Sequence, residues 1–137
     1  MHSFKMFNVL RELILKGFPV WGTCAGLIVM GKTSSNNDET TLAVMDITVK
    51  RNAFGRQIDS FETDLDIPIL GARPFKAVFI RAPAITKAGA KVEVLAKLSD
   101  GTIIAARQEK MLATAFHPEL SNDFRVHQYF ISEFITK

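Results

Sequence analysis

The sequence predicts an α/β sandwich around a mixed β-sheet. Three observations predict it: a helix, a short strand, a sharp turn and a second helix come first, β-prone segments fill the middle, and an amphipathic helix closes the chain. With 137 residues, 47% hydrophobic and 23% charged, the chain is expected to form a single domain, 1–137, with one buried core. Its longest apolar run falls far short of the roughly 18 residues of a membrane span. The 17 basic and 14 acidic residues interleave and leave a formal charge of +3, so neither nucleic acid nor a membrane is expected as a partner. One cysteine and a start without a leader pattern fit a reducing, cytoplasmic setting.

Taken in order, Phe4, Phe7, Leu10, Leu13 and Ile14 recur at helical spacing, and Gly17 is placed to end that helix. Pro19-Val20-Trp21 reads as a short strand leading into Gly22-Thr23-Cys24-Ala25-Gly26, and Leu27 to Met30 suits a buried helix. Thr33 to Thr41 is polar and aperiodic, hence a surface loop. Strands are expected over Leu42–Lys50, Ile58–Leu65, Phe75–Arg81, Val92–Leu98, Thr102–Arg107 and Leu112–Phe116, with a hairpin turn at Ser99-Asp100-Gly101. Ser121, Asn122 and Asp123 offer caps for a last helix that sets Val126, Phe130 and Phe134 on one face. A chain that opens on a helix, ahead of a parallel strand at Pro19–Trp21, suggests that an N-terminal βα portion is absent.

Chemistry concentrates in two places. The glycines two before and two after Cys24 leave room for a strained elbow that projects the thiol. A helix N-terminus beside it is expected to lower the thiol pKa, and the Ala25 N–H is placed to stabilise an oxyanion. The bland alternative is a buried cysteine among close-packing glycines. In Phe116-His117-Pro118-Glu119-Leu120, residues two apart in an extended stretch point the same way, so Glu119 could hold the His117 ring towards a nucleophile. A plain surface turn is the competing reading. Arg51-Asn52-Ala53-Phe54-Gly55-Arg56-Gln57 and Ile80-Arg81-Ala82-Pro83 follow strands, where loops of an α/β sheet gather around ligands; Arg51, Arg56 and Arg81 could equally be ordinary surface charges. No metal or cofactor is expected, because one cysteine and three histidines lack any zinc-type spacing. His127 is assigned to packing or surface.

These residues resemble the glutaminase subunit of pyridoxal 5′-phosphate synthase, a class I glutamine amidotransferase family, and look closest to its plant-type versions. The resemblance rests on Trp21-Gly22-Thr23-Cys24-Ala25-Gly26-Leu27-Ile28, on Arg51-Asn52-x-Phe54-Gly55-Arg56-Gln57-x-Asp59-Ser60-Phe61-Glu62, on Val78-Phe79-Ile80-Arg81-Ala82-Pro83 and on Ala115-Phe116-His117-Pro118-Glu119-Leu120. It implies a class I glutamine amidotransferase-like sandwich with Cys24, His117 and Glu119 as triad. It also implies that Arg51, Ile80 and Arg81 bind L-glutamine, and that the ammonia passes to a barrel-shaped synthase subunit for vitamin B6 biosynthesis. Ala53 stands where many members have Ser. The family's strand and Gly-Gly-Glu-Ser loop, expected before the first helix, do not occur in this sequence. Weak turnover by residues 1–137 is therefore expected, since Ala25 supplies one oxyanion donor and the loop would supply another. Two alternatives stay open at this point: a glutaminase serving another amidotransferase, and an inactive variant that only binds a partner.

Overall fold

The computed structural model describes residues 2–33, 41–54 and 60–136. Helix α1 (His2–Leu15) ends where Gly17 takes φ 98° and donates its N–H to Ile14 O at 3.0 Å. That left-handed backbone suits glycine, which has no Cβ to clash. Ile14 is buried and Phe7 packs against the core, whereas Leu10 and Leu13 of the expected inner face are each 41% exposed. The Arg11 Nε–H donates to Leu42 O at 3.2 Å.

Strand β1 (Val20–Thr23) leads through Cys24 into α2 (Ala25–Met30), and a two-residue strand β2 (Lys32–Thr33) follows. Thr33 therefore pairs with Val49 instead of opening the expected loop, the rest of which, 34–40, lies outside the described residues. Strand β3 is confined to Ile47–Lys50, shorter than expected. Leu42, Val44 and Met45 are buried, but the N–H groups of all three donate to Val29 O or Met30 O. Their task is to satisfy carbonyls at the end of α2, which would otherwise lack partners. Apolar sequence there signals burial, not strand.

The remaining strands are β4 (Ser60–Leu65), β5 (Phe75–Ile80), β6 (Ala84–Ala88), β7 (Glu93–Lys97), β8 (Ile103–Gln108) and β9 (Met111–Thr114). β6 is absent from the sequence expectations: Ala and Lys are poor strand formers, and pairing with β3 and β8 decides its conformation. Positions 58 and 59 of the expected fourth-strand region lie outside the described residues. The turn at 99–101 closes the β7–β8 hairpin, with Gly101 at φ 90° and the Thr102 N–H donating to Asp100 Oδ1 at 2.9 Å.

One sheet runs β1-β9-β8-β6-β3-β2, with β7 also paired to β8, and β4 and β5 form a second, two-stranded sheet. The β1–β9 and β2–β3 pairs are parallel and the others antiparallel, the expected mixed sheet. Among the described residues β1 is an end strand of the larger sheet and pairs only with β9. Phe79 of β5 stacks on its cross-strand partner Phe61 of β4 at 4.6 Å and meets Phe116, just beyond β9, edge-on at 5.9 Å, which joins the small sheet to the end of the larger one.

The closing segment has α3 (Arg125–Phe130) running into a π-helical turn, Ile131–Ile135, with Val126 and Phe134 buried and Phe130 packed on the core. Phe124 is the cap residue, and Asp123 receives the Arg125 N–H at 3.1 Å. The Arg125 guanidinium forms a clasp. It donates to Leu70 O, Arg73 O and Pro74 O at 3.2, 2.8 and 2.9 Å and pairs with Asp123 at 2.6 Å. The approach to β5 is thereby tied to the segment that follows Glu119. No described helix is long and apolar enough to cross a membrane.

Candidate active site

Cys24 sits between β1 and α2 at φ 52° and ψ −104°, a conformation that costs a non-glycine residue about 1–3 kcal/mol. Three backbone hydrogen bonds hold it there. Its N–H donates to Thr114 O at 2.9 Å, continuing the β1–β9 ladder, and its carbonyl accepts from Leu27 and Ile28 in the first turn of α2. A Cβ on Gly22 would come within 2.5 Å of Met30 Sδ and 2.7 Å of the Gly26 backbone, so the elbow requires glycine at 22. Gly26 differs from expectation, because a Cβ there meets no heavy atom within 4 Å.

The half-buried thiol donates to Ile80 O at 3.6 Å. Burial raises its pKa from the ordinary 9.0, the Ala25 N–H opposes that rise, and the Glu119 charge adds to it; the net direction is upward. The Ala25 N–H at the start of α2 thus acts in the expected direction, but desolvation is the larger effect and the expected net lowering is not found. The upward shift favours the neutral thiol over the thiolate.

His117 and Glu119 leave the sheet after β9, beside the exit of β1, since the two strands run parallel with Thr23 opposite Thr114. The His117 N–H donates to Val78 O at 2.8 Å, which hangs this segment on β5. Only His117 is extended. Pro118–Leu120 form a 3₁₀ turn that Pro118 opens, and this turn, not an extended strand, brings Glu119 Oε2 to 2.8 Å from His117 Nδ1. Partial burial works to raise the Glu119 pKa, but the His117 hydrogen bond, its own N–H and the charges of His117 and His127 outweigh it, and the carboxyl is held below its usual value.

Arg51 and Arg81 come to the same region. β3 pairs antiparallel with β6, Lys50 opposite Ala84, so Arg51 leaves β3 where Arg81 approaches β6, and the Ala53 N–H donates to Ala82 O at 3.2 Å. Both arginines are exposed, and Arg81 takes φ 46° immediately after Ile80, the residue whose carbonyl meets Cys24. Gly55, Arg56 and Gln57 lie outside the described residues. Sequence reasoning passed over Thr114, buried between the two catalytic candidates; its signal was a hydroxyl in an otherwise apolar strand. His127 has a packing role, edge-on to Trp21 at 5.1 Å, with its Nδ1 buried and without a hydrogen-bond partner among the described residues. No group of three or more His, Cys, Asp or Glu that could hold a metal occurs among the described residues.

A strained cysteine elbow and a His–Glu pair at the end of neighbouring parallel strands in a mixed sheet define a glutamine amidotransferase fold. A solved glutamine amidotransferase superposes with a TM-score of 0.86 and 41% identity, over 96% of this chain and 69% of that one. A second, from Thermotoga maritima, shares the fold at a TM-score of 0.57 and 13% identity, over 95% and 52%. Residues 1–136 match the SNO glutamine amidotransferase family, and the chain belongs to it. Pyridoxal 5′-phosphate synthase subunit PdxT of Herpetosiphon aurantiacus is 53% identical over 93% of this chain and 69% of its own length. The same subunit of Carboxydothermus hydrogenoformans is 54% identical over 96% and 68%. The chain thus spans about two thirds of the length of these relatives.

Proposed function

We propose that this chain is one glutaminase domain that hydrolyses L-glutamine to glutamate and ammonia through Cys24, His117 and Glu119. The observation that carries the reading is the 2.8 Å His117–Glu119 contact on the segment beside the Cys24 elbow. Glu119 occupies Nδ1, which leaves Nε2 to exchange protons. In this reading His117 takes the Cys24 proton, the sulfur attacks the carboxamide carbon, and the Ala25 N–H faces the developing oxyanion. His117 then protonates the departing ammonia and activates water against the thioester. Arg51 and the Ile80–Arg81 turn bind the amino-acid end of glutamine.

The names of the relatives support a partner: the ammonia passes to a pyridoxal 5′-phosphate synthase subunit in a cytoplasmic hetero-oligomer. Ammonia released into water near neutral pH is largely protonated and no longer a nucleophile, which favours a docked delivery path. The test is glutamate and ammonia release, measured with and without that synthase subunit. Cys24→Ala should abolish release while circular dichroism stays unchanged; turnover retained in this variant refutes covalent catalysis.

A further inference from the structure

Resting on this glutaminase reading, we infer that Thr114 is a positioning residue that sets the nucleophile against its base. It is the one fully buried polar side chain among the described residues, 1% exposed, in a strand whose other residues are apolar. Valine would fill the same volume there, so the hydroxyl itself needs a reason. Two bonds supply it: the hydroxyl accepts the Trp21 indole N–H at 3.1 Å and donates to Phe116 O at 3.5 Å, while the Thr114 backbone carbonyl separately accepts the Cys24 N–H at 2.9 Å.

Trp21 lies three residues before the nucleophile and Phe116 one residue before the base. Both segments leaving the sheet are thus indexed to one side chain. Trp21 is also backed by His127 at 5.1 Å and Phe130 at 5.5 Å, so its indole is a firm reference for the β1 side. On the other side, the His117 N–H is fixed on Val78 O, which leaves the Phe116 carbonyl as the adjustable link to β9. Loss of the hydroxyl leaves the part-buried indole N–H without its acceptor and removes the side-chain brace that fixes Trp21 and Phe116 against each other within the β1–β9 ladder. Thr114 touches no reacting atom; it acts through the spacing of Cys24 and His117.

The test is labelling of Cys24 by diazo-oxo-norleucine, a glutamine analogue that alkylates an attacking thiolate, followed by intact mass on the full chain with its synthase partner. Thr114→Val should lower the maximal labelling rate about tenfold and leave the half-saturating concentration within about twofold. Iodoacetamide at high pH, which needs only an exposed thiolate, should react within about twofold of the parent. Thr114→Ser, which keeps the hydroxyl, should restore most of the rate. If the Val variant does not fold, Trp21→Phe removes the same bond from the other end and should give the same split. Parent-like labelling in Thr114→Val, or in Trp21→Phe where the former does not fold, overturns the inference, as does a Ser variant as slow as the Val one. A parent chain that takes no label sinks the glutaminase reading and this inference with it.

Discussion

Replacing Arg125 with alanine should destabilise the chain by about 2–3 kcal/mol while leaving its secondary structure in place. The guanidinium serves three carbonyls and Asp123, and the two side chains are 16% and 18% exposed. Breaking a buried ion pair from one side costs about 3–5 kcal/mol, and a hydrogen bond to a charged group nets about 1.5–3. The bonds share one side chain and do not add. Water also reaches the edge of the pair and can rehydrate the carbonyls of 70–74, which lowers the figure. For a chain of this size the change corresponds to a fall in Tm of roughly 6–9 °C. Denaturant unfolding of parent and variant at neutral pH measures it. The pH dependence adds a second check. Arg125 donates to Asp123 and so holds its carboxyl below the usual value. Such a group contributes stability above its unfolded pKa of about 3.9 and loses it as pH falls through the depressed folded value. The gap between parent and variant should therefore be constant above about pH 5 and narrow only below about pH 4. A gap under about 0.5 kcal/mol at neutral pH, the range of ordinary surface changes, refutes the clasp as a stabilising device.

Further outcomes follow from the site. Gly22→Ala should destabilise by about 1–3 kcal/mol because the new methyl meets the Gly26 backbone, whereas Gly26→Ala should be neutral or slightly stabilising in thermal unfolding. Equal effects at the two glycines would contradict the elbow geometry. Arg51→Ala should raise the KM for glutamine by about tenfold with little change in Tm, and unchanged kinetics would return Arg51 to the plain surface. Without glutamine, iodoacetamide alkylation of Cys24 should pass its midpoint above pH 9.0, the ordinary thiol value, because burial raises the pKa. A midpoint well below it would mean that the thiolate is already stabilised at rest.

The parts of this fold legible in the sequence are those whose signal is local. Gly17 ends α1 and the 99–101 turn closes a hairpin because each conformation is dictated by a few adjacent residues. The Gly22–Cys24 elbow is legible for the same reason. What escaped depends on contacts distant in sequence. β6 becomes a strand through β3 and β8, and Leu42–Met45 stays out of one because the carbonyls of α2 claim its N–H groups. At the site, the His117–Glu119 contact was foreseen but its route was not, since the 3₁₀ turn set by Pro118 replaces an extended strand. The direction of the Cys24 pKa was missed because burial is a property of the folded chain and cannot be read from a motif.

The backbone of Cys24 has a consequence for how this sequence tolerates change. At φ 52° a glycine would relax the elbow, and an enzyme needs the side chain that glycine lacks. Stability and chemistry thus pull position 24 in opposite directions. In a mutant library screened only for thermal resistance or expression, Cys24→Gly should be enriched, and the winning clones would be the ones without the proposed nucleophile. Any attempt to harden this protein must select for turnover at the same time, or it will remove the thiol on which the proposed turnover depends.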